Sequence, residues 1–238
     1  MRAIDYTTSI PLYVDDSYLR EFDAKVVKNG PRYVILDRTA FYPDSGGQPS
    51  DTGYLIQDPI QVPVFKVVKR GIDIFHYIDG DLREGSSIRG IIDWEQRFFN
   101  MRRHSGEHLL TGLFEKAGAG PKVYSDLAHL EFQPSNLDYD MVRGVENEFN
   151  RLIEADIHVR IYYEDRHEAE ASGDARKEGF LEKIPRTVEK LRMVEFPGFA
   201  LTFCFGTHVR STRDIGSLKS LTLTSAKKMR KIVHFSLE

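Results

Sequence analysis

The 238-residue chain has a single cysteine, Cys204, and that scarcity removes one class of folds at once. One thiol closes no internal disulfide, so a small secreted domain stapled by cystines is excluded, while the redox compartment stays open. An excess of positive charge is missing as well: 33 Lys and Arg against 36 Asp and Glu give a formal net charge of -3, which excludes coating of nucleic acid by bulk charge but not a local basic face. Long apolar runs are absent. No window approaches the roughly 20 apolar residues that cross a bilayer, and the opening MRAIDYTTSIPLYVDD carries Asp5, Asp15 and Asp16 without an apolar stretch of signal-peptide length. No membrane partner is expected, and a soluble cytoplasmic protein is the default. The sequence also has no internal repeat, low-complexity tract or heptad.

What is present divides into two stretches of different character. Residues 1–92 read as short strands and frequent turns: KVVKNGPRYVILDRTAFYP holds two apolar runs around Asn29-Gly30-Pro31, followed by GYLIQ, VPVFKVVKR and GIDIFHYI, separated by Asp58-Pro59, Gly71 and Asp79-Gly80. This punctuation predicts a small antiparallel β-barrel, with any short helical piece near DDSYLREF, where Asp15 or Asp16 offers a cap. Residues 93–238 form the second expected domain. In DWEQRFFNMRRHSGEHLLTGLFEKAG, Phe98, Met101, Leu109, Leu110, Leu113 and Phe114 recur at helical spacing, Asp93 is the expected cap with Gln96 three residues on, and Gly118, Gly120 and Pro121 end the helix. DYDMVRGVENEFNRLIEAD predicts a second, amphipathic helix and HEAEASGDARKEG a shorter polar one. AHLEFQP, IHVRIYYE, TVEKLRMVEFPG, ALTFCFG and SLKSLTLTSAKKMRKIVHFSL read as strands, the last as a hairpin or twisted pair. The fold class is therefore mixed: a small N-terminal β-barrel, then an α+β domain with helices against a largely antiparallel sheet.

Two short segments carry the chemistry. In HSGEH, His104 and His108 are four residues apart on a predicted helix, so both imidazoles project from one face on successive turns. In CFGTH, Cys204 and His208 flank a Gly206-Thr207 step that can turn the thiol back beside the imidazole. Three imidazoles and one thiolate make a chemically reasonable zinc set. Either pair alone has a plainer reading, as a helix-face coincidence or a small buried hydrophobe; their joint presence favours one shared metal. Glu107 does not follow the first histidine, as the base of a zinc protease does, and is expected to face away from both rings. His129, in LAHLEF, is a candidate to line a cavity.

Taken in order, DRTAFYPDSGGQPSDTG, DWEQRFFNMRRHSGEHLL and CFGTHVRSTRDIG resemble the three signature blocks of the alanyl-tRNA synthetase editing domain and its free-standing relatives, the AlaX-type trans-editing proteins of the medium-length, glycine-motif class. The resemblance implies Zn2+ held by His104, His108, Cys204 and His208, and an aminoacyl-tRNA deacylase that hydrolyses seryl-tRNA(Ala), with glycyl-tRNA(Ala) as a second substrate. It places Gly46, Gly47 and Gln48 on the glycine motif, Thr39 near the amino-acid pocket and Thr207 beside the last ligand. Thr39, Gln48 and Thr207 are the candidate catalytic residues. The sequence departs from the pattern at Phe205, Glu107, Gly106, Ala200, Glu131 and Asp44, which bears on substrate preference; an editor for another small or non-protein amino acid and a zinc-stabilised RNA-binding module remain alternatives.

A seryl ester differs from an alanyl ester by one hydroxyl, and a site that hydrogen-bonds that group rejects its absence strongly. Thr39, then Gln48, is the expected reader of the hydroxyl. The expected partner is mischarged tRNA(Ala), not DNA; Arg102, Arg103, Arg210 and Arg213, neighbours of the metal motifs in sequence, are candidates for its phosphates, as is the cluster Lys227, Lys228, Arg230 and Lys231. Monomer and homodimer both remain open.

Overall fold

The computed structural model describes residues 9–120, 122–123, 129–133, 137–182, 184–226 and 230–238. Its contacts divide the chain into two compact units, Met1–Asn100 and Met101–Glu238. The first contains the short pair β1 (Ile10–Pro11) and β4 (Arg38–Thr39), and the strands β2 (Glu21–Gly30), β3 (Tyr33–Leu36), β5 (Gly53–Gln57), β6 (Ile60–Arg70), β7 (Asp73–Ile78) and β8 (Ser87–Ile92). These six longer strands close into an antiparallel barrel in the order β2-β3-β7-β6-β5-β8.

The barrel follows from strict alternation. Along β7, Ile74, His76 and Ile78 turn inward while Asp73, Phe75 and Tyr77 turn outward, and along β2 Phe22, Ala24 and Val26 do the same. With Val34, Leu36, Leu55, Val62, Val64 and Val67 they fill the interior. Two-residue connections set the register: Gly30 pairs with Tyr33 across Pro31–Arg32, and Gln57 pairs with Ile60 across Asp58–Pro59. DDSYLREF is not helical. A 3-10 turn forms just before it at Leu12–Val14, and the Asp16 carboxylate accepts from the Tyr18 N–H, so Asp16 closes a local turn that leads into β2 rather than capping a helix.

Two of the buried polar groups in this unit, His76 and Arg97, are held by several hydrogen bonds. His76 lies 2.8 Å from Thr39 Oγ1 through Nε2 and 3.3 Å from the Val34 carbonyl through Nδ1. Arg97, on the first turn of α1 (Trp94–Lys116), pairs with Asp51 and donates to the carbonyls of Ser17 and Ala40. The Asp93 carboxylate accepts from the Gln96 N–H at 3.2 Å, as expected of an N-cap. Arg97 ties the start of α1 to the barrel residues, and the two compact units divide after Asn100, within this helix.

The second unit holds the rest of α1, then β9 (Lys122–Val123), β10 (His129–Phe132), α2 (Tyr139–Ala155), β11 (Arg160–Asp165), α3 (Arg166–Ala171), α4 (Ala175–Leu181), β12 (Lys190–Phe196), β13 (Ala200–Phe203), β14 (Leu218–Ala226) and β15 (Arg230–Leu237). Helix α2 is capped by Asp138, which accepts from the Met141 N–H, and buries Val142, Val145, Phe149, Leu152 and Ile153, each worth about 1.5–3 kcal/mol when fully removed from water. Among the described residues the antiparallel strands expected here form two sheets, β14-β15-β10-β9 and β11-β12-β13. The polar segment expected as one helix is also two, because Gly173, at φ 61, breaks α3 from α4.

Burial pushes the His76 imidazole from its ordinary 6.5 down to about 4, so the folded barrel holds it neutral. The unfolded chain protonates it near 6.5; its contribution is therefore complete above that pH and is lost as pH falls toward 4, about 3 kcal/mol in all. Denaturant unfolding of wild type and His76→Gln between pH 7 and 4.5 should give a visibly shallower pH slope for the variant; parallel slopes would refute this assignment.

Candidate metal centre

Helix α1 presents His104 and His108 on adjacent turns, their Nε2 atoms 3.0 Å apart. The chain leaving β13 brings Cys204 Sγ to 3.5 Å from His104 Nε2, and the His208 ring lies with its centroid 4.4 Å from that of His104 and 5.0 Å from that of His108. One donor atom from each of the four residues lies within 4.8 Å of all the others. Donors of a tetrahedral ion with bonds of about 2.0–2.3 Å stand about 3.3–3.8 Å apart, so this set fits such an ion. His104 and His208 are buried, whereas His108 and Cys204 are half-buried and form the open side of the group.

The surroundings keep the donors in the right form and orientation. Burial, followed by the neighbouring histidine, holds His104 well below the usual imidazole range; burial does the same for His208 and pushes His108 down to about 4. Neutral rings offer the lone pair a cation needs. Burial pushes the Cys204 thiol up to about 11, opposed by the Gly206 N–H, which donates to Sγ at 3.2 Å. His104 also hydrogen-bonds the Thr207 backbone. Ser105 Oγ lies 3.2 Å from His208 Nδ1 and accepts from the Val209 N–H, which assigns His208 Nε2 to the metal side. Arg192, wholly buried on β12, donates to the carbonyls of Cys204 at 2.6 Å and Gly206 at 3.2 Å, clamping the turn between the ligands. At Gly206 a Cβ would stand 2.0 Å from His104 Cε1, so only glycine lets the turn lie against that ring.

The other expected residues fall in several places. Thr207 is buried beside His208 and serves His104 through its backbone. Glu107 is buried and accepts from the Thr111 hydroxyl, with burial pushing its carboxyl up to about 7; it is not one of the four donors. His129 does not join them either: on β10 it sits opposite His234 and 3.7 Å from Glu131. Phe205 is exposed, its ring 5.1 Å from Phe203. Arg102 donates to the Ile215 and Glu238 carbonyls, and Arg213 pairs with Asp156, so neither is presented as an unengaged phosphate ligand; Arg103 is half-buried and Arg210 exposed. Lys227 and Lys228 lie outside the described residues, and Arg230 reaches Glu131.

In the first unit, Gly46 and Gly47 occupy consecutive left-handed positions, φ 55 and 85, between bridged Ser45 and Gln48. This is a two-residue turn that side-chain-bearing residues adopt poorly. Its stem is pinned where Tyr42 and Asp51 exchange hydrogen bonds. Gln48 is buried. Thr39, expected to read a substrate hydroxyl, is wholly buried with Oγ1 bonded to His76 and to the Phe41 N–H, so its hydroxyl is already engaged inside the barrel.

Sequence reasoning missed Ser105 and Arg192. Ser105 lies inside the HSGEH motif, and its place between two ligands was the available signal; Arg192 sits in a strand with nothing in the local pattern to distinguish it.

The second unit offers a four-donor, three-histidine site on a helix and a turn, the first unit a glycine turn on a barrel, and both units match models of tRNA synthetase-associated domains. Residues 7–96 match the family model of class II (A) tRNA synthetases, and residues 191–233 that of the threonyl and alanyl tRNA synthetase second additional domain. The chain is 38% identical over 243 residues to an alanyl-tRNA editing protein AlaX-M of Methanosarcina acetivorans, covering 95% of this chain and 98% of the relative. It is 35% identical to an alanyl-tRNA editing protein AlaX-L of Pyrococcus horikoshii, across 88% of this chain and 53% of that one, and 36% identical to an alanine–tRNA ligase of Ignicoccus hospitalis, across 89% and 24%. The chain belongs to the AlaX family of alanyl-tRNA editing proteins.

Gly206→Ala should displace the His104 ring and lower metal affinity about 10–100-fold, read by competitive chelation, with circular dichroism unchanged. Thr39→Val should cost about 1–3 kcal/mol in unfolding free energy by leaving His76 Nε2 unpaired in the barrel interior; an unchanged denaturation midpoint would show that Thr39 has no such role.

Proposed function

We propose that this chain is a zinc-dependent deacylase of mischarged tRNA(Ala), acting chiefly on the seryl ester and secondarily on the glycyl ester. Membership of the AlaX family makes it an editing enzyme that removes a wrong amino acid from tRNA. The observation that carries the finer reading is the convergence of His104, His108, Cys204 and His208. Such a donor set, with nitrogen and sulfur only, suits zinc better than a hard oxygen-seeking cation.

The chain's own part is positional. His104, His108, Cys204 and His208 would hold the ion; Ser105 and the Thr207 backbone orient two of the rings, and Arg192 holds the turn. Zinc supplies Lewis acidity there, for activating water or for gripping the substrate's amino group. The aminoacyl ester is labile, so positioning suffices and no covalent nucleophile is required. In this proposal Thr39, then Gln48, reads the seryl hydroxyl; both are buried, and the Thr39 hydroxyl also lies 2.8 Å from His76 Nε2. Gly46 and Gly47 shape the turn that carries Gln48. An editor for a different small amino acid is the second reading, favoured by Phe205, whose exposed ring adjoins the thiolate ligand in sequence.

Seryl, glycyl, alanyl and threonyl esters on one tRNA, each assayed with and without zinc, test the proposal. Seryl ester should be cleaved fastest and alanyl ester spared by about a hundredfold or more. Removing the metal with chelator should abolish cleavage while barrel unfolding stays intact. Zinc-independent cleavage, or equal rates on seryl and alanyl esters, would overturn it.

A further inference from the structure

The barrel carries on its outer face a feature that neither its packing nor the metal centre requires. On strands β3 and β7, Tyr33 and Tyr77 stand opposite each other in register, and the Tyr33 ring lies 5.0 Å from that of Phe75. A register shift in β6 between Val64 and Lys66 sets Phe65 on the same face, 6.3 Å from Tyr77 and 48% exposed. Without that extra residue, strict alternation from inward-facing Val67 would turn Phe65 inward. The bulge therefore displays a phenyl ring that a regular strand would bury.

Arginines crown these rings. The Arg32 guanidinium lies 5.9 Å from the Phe65 centroid, and that of Arg70 lies 5.4 Å from Phe75 while donating to the Tyr77 hydroxyl at 3.1 Å. Both are exposed, as is Lys66, which stands opposite Tyr77. None of the three forms an ion pair among the described residues, although Asp73 is opposite Arg70 in register. Arginines elsewhere, such as Arg89, Arg151 and Arg160, do pair with glutamates. Exposed cations without a carboxylate partner among the described residues, beside a half-exposed phenyl ring, complement a ligand that brings both phosphates and planar bases.

We infer that this aromatic–arginine face of β3, β6 and β7 is a docking surface for the RNA of the tRNA substrate, with Arg32, Lys66 and Arg70 on phosphates and Phe65 stacking on a base. The inference rests on the tRNA deacylase reading above. It supplies a local positive surface on a chain whose net charge of -3 gives no bulk attraction.

The test compares wild type, the double variant Arg32→Gln/Arg70→Gln and Phe65→Ala. Binding of uncharged tRNA(Ala) is followed by fluorescence anisotropy from 50 to 200 mM salt, and deacylation is measured on seryl-tRNA(Ala) and on a seryl ester of a short CCA oligonucleotide. The double variant should bind tRNA at least about tenfold more weakly and lose about 1.5–2 from the slope of log K against log salt. Phe65→Ala should weaken binding about fivefold or more with an unchanged slope. Cleavage of the short ester should match wild type, which also shows that the variants are folded. Unchanged tRNA affinity and slope would overturn the inference, as would variants that dissociate a self-associated wild type without affecting tRNA binding. Failure of wild type to cleave either ester would instead sink the deacylase reading, and the binding arm would still decide the surface.

Discussion

The candidate metal centre depends on how closely a turn can lie against a helix. His104 and His108 come from α1 and the other two donors from the chain after β13, and the two segments are about a hundred residues apart in sequence. Gly206 removes the one obstacle, a Cβ that would occupy the place of the His104 ring. Ser105 then bridges from the helix to His208 and to the Val209 N–H, so the residue between the first two ligands locks the position of the fourth. The close approach and the hydrogen bond act together: without glycine the turn stands off, and without the serine His208 loses a contact that orients its ring.

The barrel solves a different problem, that of polar groups inside an apolar interior. Asp51 receives the Arg97 guanidinium and the Tyr42 N–H, and the Tyr42 carbonyl receives the Asp51 N–H, so one buried ion pair also closes the base of the loop bearing Gly46 and Gly47. A buried pair of this kind adds little net stability over an apolar replacement, but it strongly disfavours any arrangement that separates its members. Its value here is the fixed geometry of a turn whose two glycines would otherwise be among the freest residues in the chain.

Much of this was legible in the sequence where the signal is local. Short apolar runs punctuated at Asn29-Gly30-Pro31 and Asp58-Pro59 gave the barrel; the apolar spacing in α1 and α2 gave the helices; and HSGEH with CFGTH gave the four donors. What stayed hidden is relational. Nothing around Arg192 indicates that its guanidinium reaches two carbonyls in the turn beyond the next strand, and nothing in DRTAF indicates that Thr39 faces a histidine thirty-seven residues on. The break at Gly173 is local, but a glycine inside a polar helical pattern is tolerated often enough that the pattern outweighed it. The division of the strands into two sheets follows from strand pairings, which periodicity does not encode.

Arg192 brings a positive charge to a candidate cation site, yet its placement accounts for the state of the four donors. The guanidinium adds to burial in keeping His104 and His208 unprotonated, and it opposes burial in favouring the Cys204 thiolate. Both effects move the donors toward the form that binds a metal. The repulsion it would exert on a cation held by these donors would be reduced, because its hydrogen bonds to the Cys204 and Gly206 carbonyls place two backbone dipoles against the charge. A neutral residue of the same shape would hold the turn less firmly and leave the thiol harder to ionise, so the buried cation serves geometry and ligand chemistry at once.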